Sequence, residues 1–227
     1  MNEVFTAVQG EGPYTGRRCS FVRLGYCVLS CPNCDTQQTW NARRFNLAET
    51  CPDTEVDSIL ASVPDSVSMV VVSGGEPLLW QRSPAFRLLL DSLLARGVAV
   101  HVETSATIAP TTELTKKVAH FTVSPKLTAM GGGDPEHRRI RPAVLAAFAD
   151  LAGRGRACFK IVVEDTAQVA EAAAFADRFG LDRAWVWVMP EATDTDTLVR
   201  RQPAVTQAGI EHGLNVTSRL HVIGSCR

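Results

Sequence analysis

Short apolar runs rich in β-branched residues alternate with longer amphipathic segments along most of this chain, and that alternation constrains the fold more than any other feature. Ser20–Leu24, Met69–Ser73, Val98–Glu103, Phe121–Ser124, Cys158–Val163, Ala184–Met189 and Asn215–Ile223 read as strands. The intervening segments Val56–Val63, Ala85–Arg96, Thr112–Ala119, Pro142–Gly153, Ala167–Phe179 and Asp194–His212 read as helices. In PAFRLLLDSLLARG the apolar residues recur at helical spacing, and Gly97 is the expected stop.

Strands that alternate with helices pair in parallel through right-handed crossovers. The expectation is one α/β domain over residues 1–227, a partial (βα) barrel of about six parallel strands. A complete barrel and a doubly wound sheet are the alternatives. Gly131–Arg139, GGGDPEHRR, reads as a flexible insertion. Sites in such folds gather at the C-terminal ends of strands, where several unusual polar motifs of this chain lie.

A chain of 227 residues with 45% hydrophobic and 21% charged residues can bury one sizeable core. The formal net charge of -1 disfavours a non-specific nucleic-acid partner. No apolar run approaches the roughly 18 residues of a membrane span. The opening MNEVFTAVQGEG lacks the regions of a secretory signal, so a cytoplasmic protein is expected. Disulfides are rare there, so seven cysteines point to metal or redox chemistry.

Three of those cysteines, Cys27, Cys31 and Cys34, crowd into GYCVLSCPNCDT just after a strand. A structural zinc site wants four ligands. Cys19, Cys51, Cys158 and Cys226 show no paired zinc-type spacing. Ferredoxin clusters are closed by four cysteines, whereas three would leave one iron open, and an open position is where a metal does chemistry. Incidental thiols, or zinc with a distant fourth ligand, are the competing readings.

The C-x3-C-x2-C spacing resembles the signature of the radical S-adenosylmethionine superfamily. That resemblance implies a [4Fe–4S] cluster on Cys27, Cys31 and Cys34, with S-adenosylmethionine on the open iron. It also implies a 5′-deoxyadenosyl radical that takes a hydrogen atom from the substrate. Asn33 stands where the family usually has an aromatic residue near the adenine. VVVSGGEP resembles the superfamily's GGEP motif, implying that Gly75 and Glu76 meet the methionine amino group. Glu103 in VETSAT, Ser124 and Lys126 in TVSPK, and Pro190 and Glu191 in WVMPEA match further cofactor-contacting positions, with Lys126 suited to the carboxylate.

The stretch FTAVQGEGPYTGRRCSFVRLGYCVLSCPNCDT resembles the 7-carboxy-7-deazaguanine synthase family throughout. Gln9, Gly10, Glu11, Gly12, Arg23, Asp35 and Thr36 match its pattern. GGEP, E-T, S-P-K and RLHVIG extend the likeness over nearly the whole chain. The resemblance implies ring contraction of 6-carboxy-5,6,7,8-tetrahydropterin to 7-carboxy-7-deazaguanine with loss of ammonia, in queuosine or deazapurine biosynthesis. It further implies Mg²⁺ on the Thr36 hydroxyl, Asp35 beside the cofactor, and a substrate-facing hydroxyl at Ser73. Gln9, Gly10 and Glu11 suit the polar pterin edge, and the planar fork of Arg23 suits its carboxylate. His221 and the terminal carboxylate of Arg227 match substrate-contacting positions. A homodimer and an external electron donor such as a flavodoxin are expected, with no nucleic-acid or membrane partner. The rival readings are a radical activase acting on a partner enzyme and a zinc-stabilised binding module.

Overall fold

A computed structural model describes residues 1–225. Eight strands form one sheet in the order of the chain: β1 (Glu3–Val8), β2 (Arg18–Leu24), β3 (Met69–Gly74), β4 (Ala99–Thr104), β5 (His120–Val123), β6 (Ala157–Val163), β7 (Val186–Pro190) and β8 (Asn215–Val216). β1 runs antiparallel to β2, and each later neighbouring pair is parallel. A doubly wound sheet reverses its strand order at a switch point. This order never reverses, so the sheet curls one way into a partial barrel. The six parallel strands β2–β7 were legible in the sequence; the antiparallel edge β1 was not.

The helices form for local reasons. Asp165 accepts from the Gln168 amide to cap Thr166–Phe179, and Gly180 ends it at φ 62. Asp194 caps Thr195–Glu211 in the same way. Pro84 opens Pro84–Ala95, and Gly97 follows at φ 72, where a left-handed residue stops the helix. That helix buries Phe86, Leu89, Leu90 and Leu93, a stripe at spacings of three and four.

Alternation along the strands divides the interior in two. Val70 and Val72, Val100 and Val102, Phe121 and Val123, and Phe159 and Ile161 face the helices in one continuous apolar core. Leu93 is fully buried within it, and truncation to Ala would cost about 2–5 kcal/mol. The intervening residues face the barrel axis. Their lower tier holds Cys19, Met69 and Val71 against Tyr14 and Phe21, with His101, His120 and Cys158 alongside. Their upper tier is polar and lines a cavity.

Two expectations change. Asn215–Ile223 is not one strand: after two residues of β8 the chain turns, and Leu220–Ile223 is a helical turn. The cause is the unpaired gap between the edge strands β1 and β8. There the Gly12 amide donates to Thr217 Oγ1 at 2.9 Å, and the Leu220 amide donates to the Gly10 carbonyl at 2.9 Å. These contacts draw the tail across the gap. Nor is Gly131–Arg139 a loose insertion. Thr128–Gly131 and Glu136–Arg139 are short helices, and Asp134 between them is buried. No helix among the described residues is long and apolar enough to cross a membrane.

Candidate active site

The upper tier and the loops above it enclose a cavity of about 220 Å³. The loop after β2 carries Cys27, Cys31 and Cys34, and all three line one wall of the cavity. Burial pushes the Cys27 thiol up to about 12 and raises Cys31 as well. Thiols held that way ionise readily only against a bound cation. Among the described residues, no three His, Cys, Asp or Glu side chains converge closely enough to hold one ion. Three soft sulfur donors spread along a wall suit a multi-iron cluster bridging between them. The loop is pinned from outside, because the Ser30 amide donates to Asp134 Oδ2 at 2.6 Å. Arg139 in turn binds the Asp134 and Lys126 carbonyls, which ties the three-cysteine loop to the end of β5.

Asn33, Asp35 and Thr36 also line the cavity. Asn33 donates to Glu164 Oε1 at 3.2 Å. Thr36 sits at the N-cap of a short helical turn, but its hydroxyl makes no capping bond and lies 3.5 Å from Cys34 Sγ. Gly74 adopts φ 127, and a Cβ on Gly75 would collide with the Tyr26 carbonyl, so the turn after β3 needs both glycines. Gly75 faces the cavity, whereas Glu76 is completely buried behind it. The Glu76 carboxylate accepts from Thr104 Oγ1 at 2.7 Å, from the Ser105 amide at 2.9 Å and from the Ser105 hydroxyl. It also accepts from the Leu78 amide at 3.1 Å. With its lone pairs filled, Glu76 braces the GGEP turn against the end of β4 and does not reach the cavity.

On the same cavity lining, Gln9 Nε2 and Ser73 Oγ both donate to Glu103, at 3.1 and 3.0 Å. The Gln9 side-chain oxygen accepts from the Glu11 amide. Gly10 touches His221 so closely that a Cβ would overlap the ring. Arg23 pairs with Glu3 at 2.9 Å on the cavity rim. Lys126 donates to Ser124 Oγ at 3.0 Å and makes no ion pair among the described residues. Pro190 and Glu191 are not brought to the wall: Pro190 ends β7, and Glu191 is held by Arg201. Arg227 lies outside the described residues.

Two cations of the wall escaped the sequence reading. Lys160, mid-strand in β6, reaches Glu11 Oε2. Arg219 donates to Glu11 Oε1 at 3.1 Å, to Asp35 Oδ2 at 2.7 Å and to the Ala192 carbonyl at 2.6 Å. Burial alone would raise the Glu11 carboxyl, but Lys160 and Arg219 outweigh it and hold it at about 2. His221 stands 3.9 Å from Glu11, and burial lowers its pKa despite that carboxylate. A charged residue inside the apolar run ACFKIVV was the signal for Lys160. Arg219 opens the RLHVIG tail, in which the family resemblance marks only His221.

Residues 8–124 match the family model described as a 4Fe-4S single cluster domain. The chain is 36% identical to the 7-carboxy-7-deazaguanine synthase of Pyrobaculum aerophilum over 97% of its own length and 92% of that relative. It is 33% identical to the synthase of Hyperthermus butylicus over 97% of itself and 90% of the relative. The chain belongs to the 7-carboxy-7-deazaguanine synthase family. Among solved structures, QueE from Escherichia coli superposes with a TM-score of 0.66 at 25% identity, covering 97% of this chain and 93% of that one. Streptococcus suis SuiB bound to its precursor peptide SuiA shares the fold at a TM-score of 0.56 and 16% identity, over 87% of this chain and 47% of that one. Membership in the synthase family implies an iron–sulfur cluster and S-adenosylmethionine, and the three thiols that line this cavity fit the cluster.

Proposed function

We infer that this chain contracts the pyrazine ring of 6-carboxy-5,6,7,8-tetrahydropterin to give 7-carboxy-7-deazaguanine and ammonia. One observation carries the reading: a single cavity joins the three-thiol wall to a second wall built from Gln9, Glu11, Glu103 and Arg23. The full-length synthase relatives give that pairing its chemistry. When bound, the reduced cluster and S-adenosylmethionine supply the radical that abstracts hydrogen from the substrate.

The chain's own residues position and neutralise. Cys27, Cys31 and Cys34 hold the cluster. The Gly75 backbone takes the methionine amino group, and Ser124 and Lys126 take its carboxylate, for which the unpaired Lys126 ammonium is available. Asn33 and Asp35 flank the cofactor. The Thr36 hydroxyl, which makes no capping bond and lies 3.5 Å from Cys34 Sγ, takes Mg²⁺, a hard cation that accepts oxygen ligands and keeps several waters. Gln9, Gly10 and Glu11 meet the amino-pyrimidinone edge, with Ser73, Glu103 and His221 around it. Arg23 turns from Glu3 to the substrate carboxylate. The pairing of Glu11 with two cations keeps it an acceptor at every working pH. The protein works in the cytoplasm as a homodimer, reduced by an external donor such as a flavodoxin.

The test is anaerobic turnover of the reconstituted protein with the carboxylated tetrahydropterin, S-adenosylmethionine and reductant, with and without Mg²⁺. Formation of the deazaguanine is expected, faster with Mg²⁺. A brown, cofactor-cleaving protein that leaves the pterin intact would overturn the reading.

A further inference from the structure

Beyond holding Glu11 ionised, Lys160 has no contact with the substrate in the proposed reaction, yet its ammonium is buried on the cavity wall with a side chain only 7% exposed. An ammonium offers three donors and no acceptor. One donor goes to Glu11 Oε2, and among the described residues Lys160 makes no second hydrogen bond. Glu11 is also incomplete. Its two oxygens receive Lys160 and Arg219, which leaves about two of its roughly four acceptor sites open. Open donors and acceptors on buried charges are costly unless a ligand completes them. The pair therefore presents, side by side at one point of the wall, a cationic donor and an anionic acceptor.

We propose that Lys160 and Glu11 together read a lactam edge of the substrate ring, the ring carbonyl accepting from Lys160 and the adjacent ring N–H donating to Glu11. The proposal rests on the pterin reading above and adds a specificity determinant to it. In a lactam the acceptor oxygen and the donor N–H project in parallel from neighbouring ring atoms, which is the complement of this ion pair. The polarity is fixed from behind. Arg219 holds Glu11 from the far oxygen, and the field of Glu103 favours the charged form of Lys160. A ring with an amino group in place of the carbonyl would set N–H against ammonium and a nitrogen lone pair against carboxylate. Both contacts would be repulsive, so the pocket selects oxo over amino rings.

The test is equilibrium binding, under anaerobic conditions, of 6-carboxytetrahydropterin and its 2,4-diamino counterpart to the reconstituted protein with S-adenosylmethionine. The wild-type protein is expected to favour the oxo ring by about 10³-fold or more, as sites built around buried hydrogen-bonding groups do. Lys160→Met is expected to weaken the oxo ligand about 10- to 100-fold, as loss of a charged hydrogen-bond partner does, and to leave the diamino ligand within ~3-fold. Lys160→Arg should restore part of the preference. Iron content and S-adenosylmethionine affinity establish that each variant is intact. A Lys160→Met protein that keeps the wild-type preference would overturn the proposal. So would a wild-type protein that binds both rings alike, a result that needs no variant to fold. Wild-type protein that holds S-adenosylmethionine but neither ring would remove the pterin reading itself, and the lactam assignment with it.

Discussion

The two tiers of the barrel interior bury ionisable groups to similar depth and treat them oppositely. In the lower tier Tyr14 packs edge-on to His101 and His120, with ring centroids 4.4 and 4.9 Å away, and His120 Nε2 lies 3.5 Å from Cys158 Sγ. Burial, with no carboxylate partner at hand, lowers both histidines to about 4 and lifts Cys19 and Cys158 to about 12. Those two histidines and two cysteines are therefore neutral. In the upper tier Glu11, Lys160 and Arg219 stay ionised because each has an opposite charge in contact. Desolvation is the common cost, and counter-charge decides whether a group answers it by neutralising or by pairing. The lower tier is a floor; the upper tier is prepared to meet a polar, charged ligand.

The largest effect that could break this contrast comes from paired cysteine substitutions. Cys31→Ala, on the cavity wall, should abolish cluster retention and S-adenosylmethionine cleavage. Cys158→Ala, in the floor, should keep both and cost about 1 kcal/mol of stability. Iron analysis and cleavage assays on the two variants check this, and iron loss from the floor variant alone would invert it.

Glu11→Leu comes next. It leaves Lys160 and Arg219 buried without their shared partner and should destabilise by about 3–5 kcal/mol in urea titration. Adding Lys160→Met should recover part of that loss. A fully additive double variant would mean that the pair does not interact.

The floor makes the pH prediction. Both histidines have folded pKa values near 4, below the unfolded 6.5, so between those values the unfolded chain binds protons that the folded chain does not. Stability is therefore present above about pH 6.5 and declines as pH falls toward 4, by on the order of 3 kcal/mol per histidine. Glu11 acts lower still, its contribution fading only as pH drops from about 4.5 toward 2. Thermal unfolding across pH 4–7 should show the histidine loss, and His101→Gln should flatten it.

The smallest expected change is at Asp134→Asn, which keeps the shape but weakens the hold on Ser30. About 1 kcal/mol of stability and a lower iron yield on reconstitution are expected.

How legible each tier was in the sequence follows from the kind of residue in it. Strands and helices of the outer core show a period, so β2–β7 and the long helices were readable within a few residues. The cysteine loop and its Asp35-Thr36 extension carry local spacing that survives without a structure. Lys160 did not stand out, because periodicity ranks a strand by its apolar residues and is silent on one inward cation. Arg219 joins partners 184 and 208 residues away, a contact no local pattern encodes. Glu76 misled in the other direction: its motif is real, but its side chain braces the turn behind the glycines. Three consecutive glycines made Gly131–Arg139 look loose, whereas Gly133 lets the chain approach the Ser30 carbonyl and seat Asp134. β1 is a short edge strand that is nowhere fully buried, so it carried little apolar signal.

The most direct measurement uses substrate deuterated at C6, with reconstituted protein, reductant and S-adenosylmethionine. If the upper tier holds a pterin against the cofactor for hydrogen transfer and return, deuterium will appear in recovered S-adenosylmethionine, and the deazaguanine formed will exceed the S-adenosylmethionine consumed. Unlabelled cofactor with no deazaguanine, or one 5′-deoxyadenosine released for every product, would contradict it.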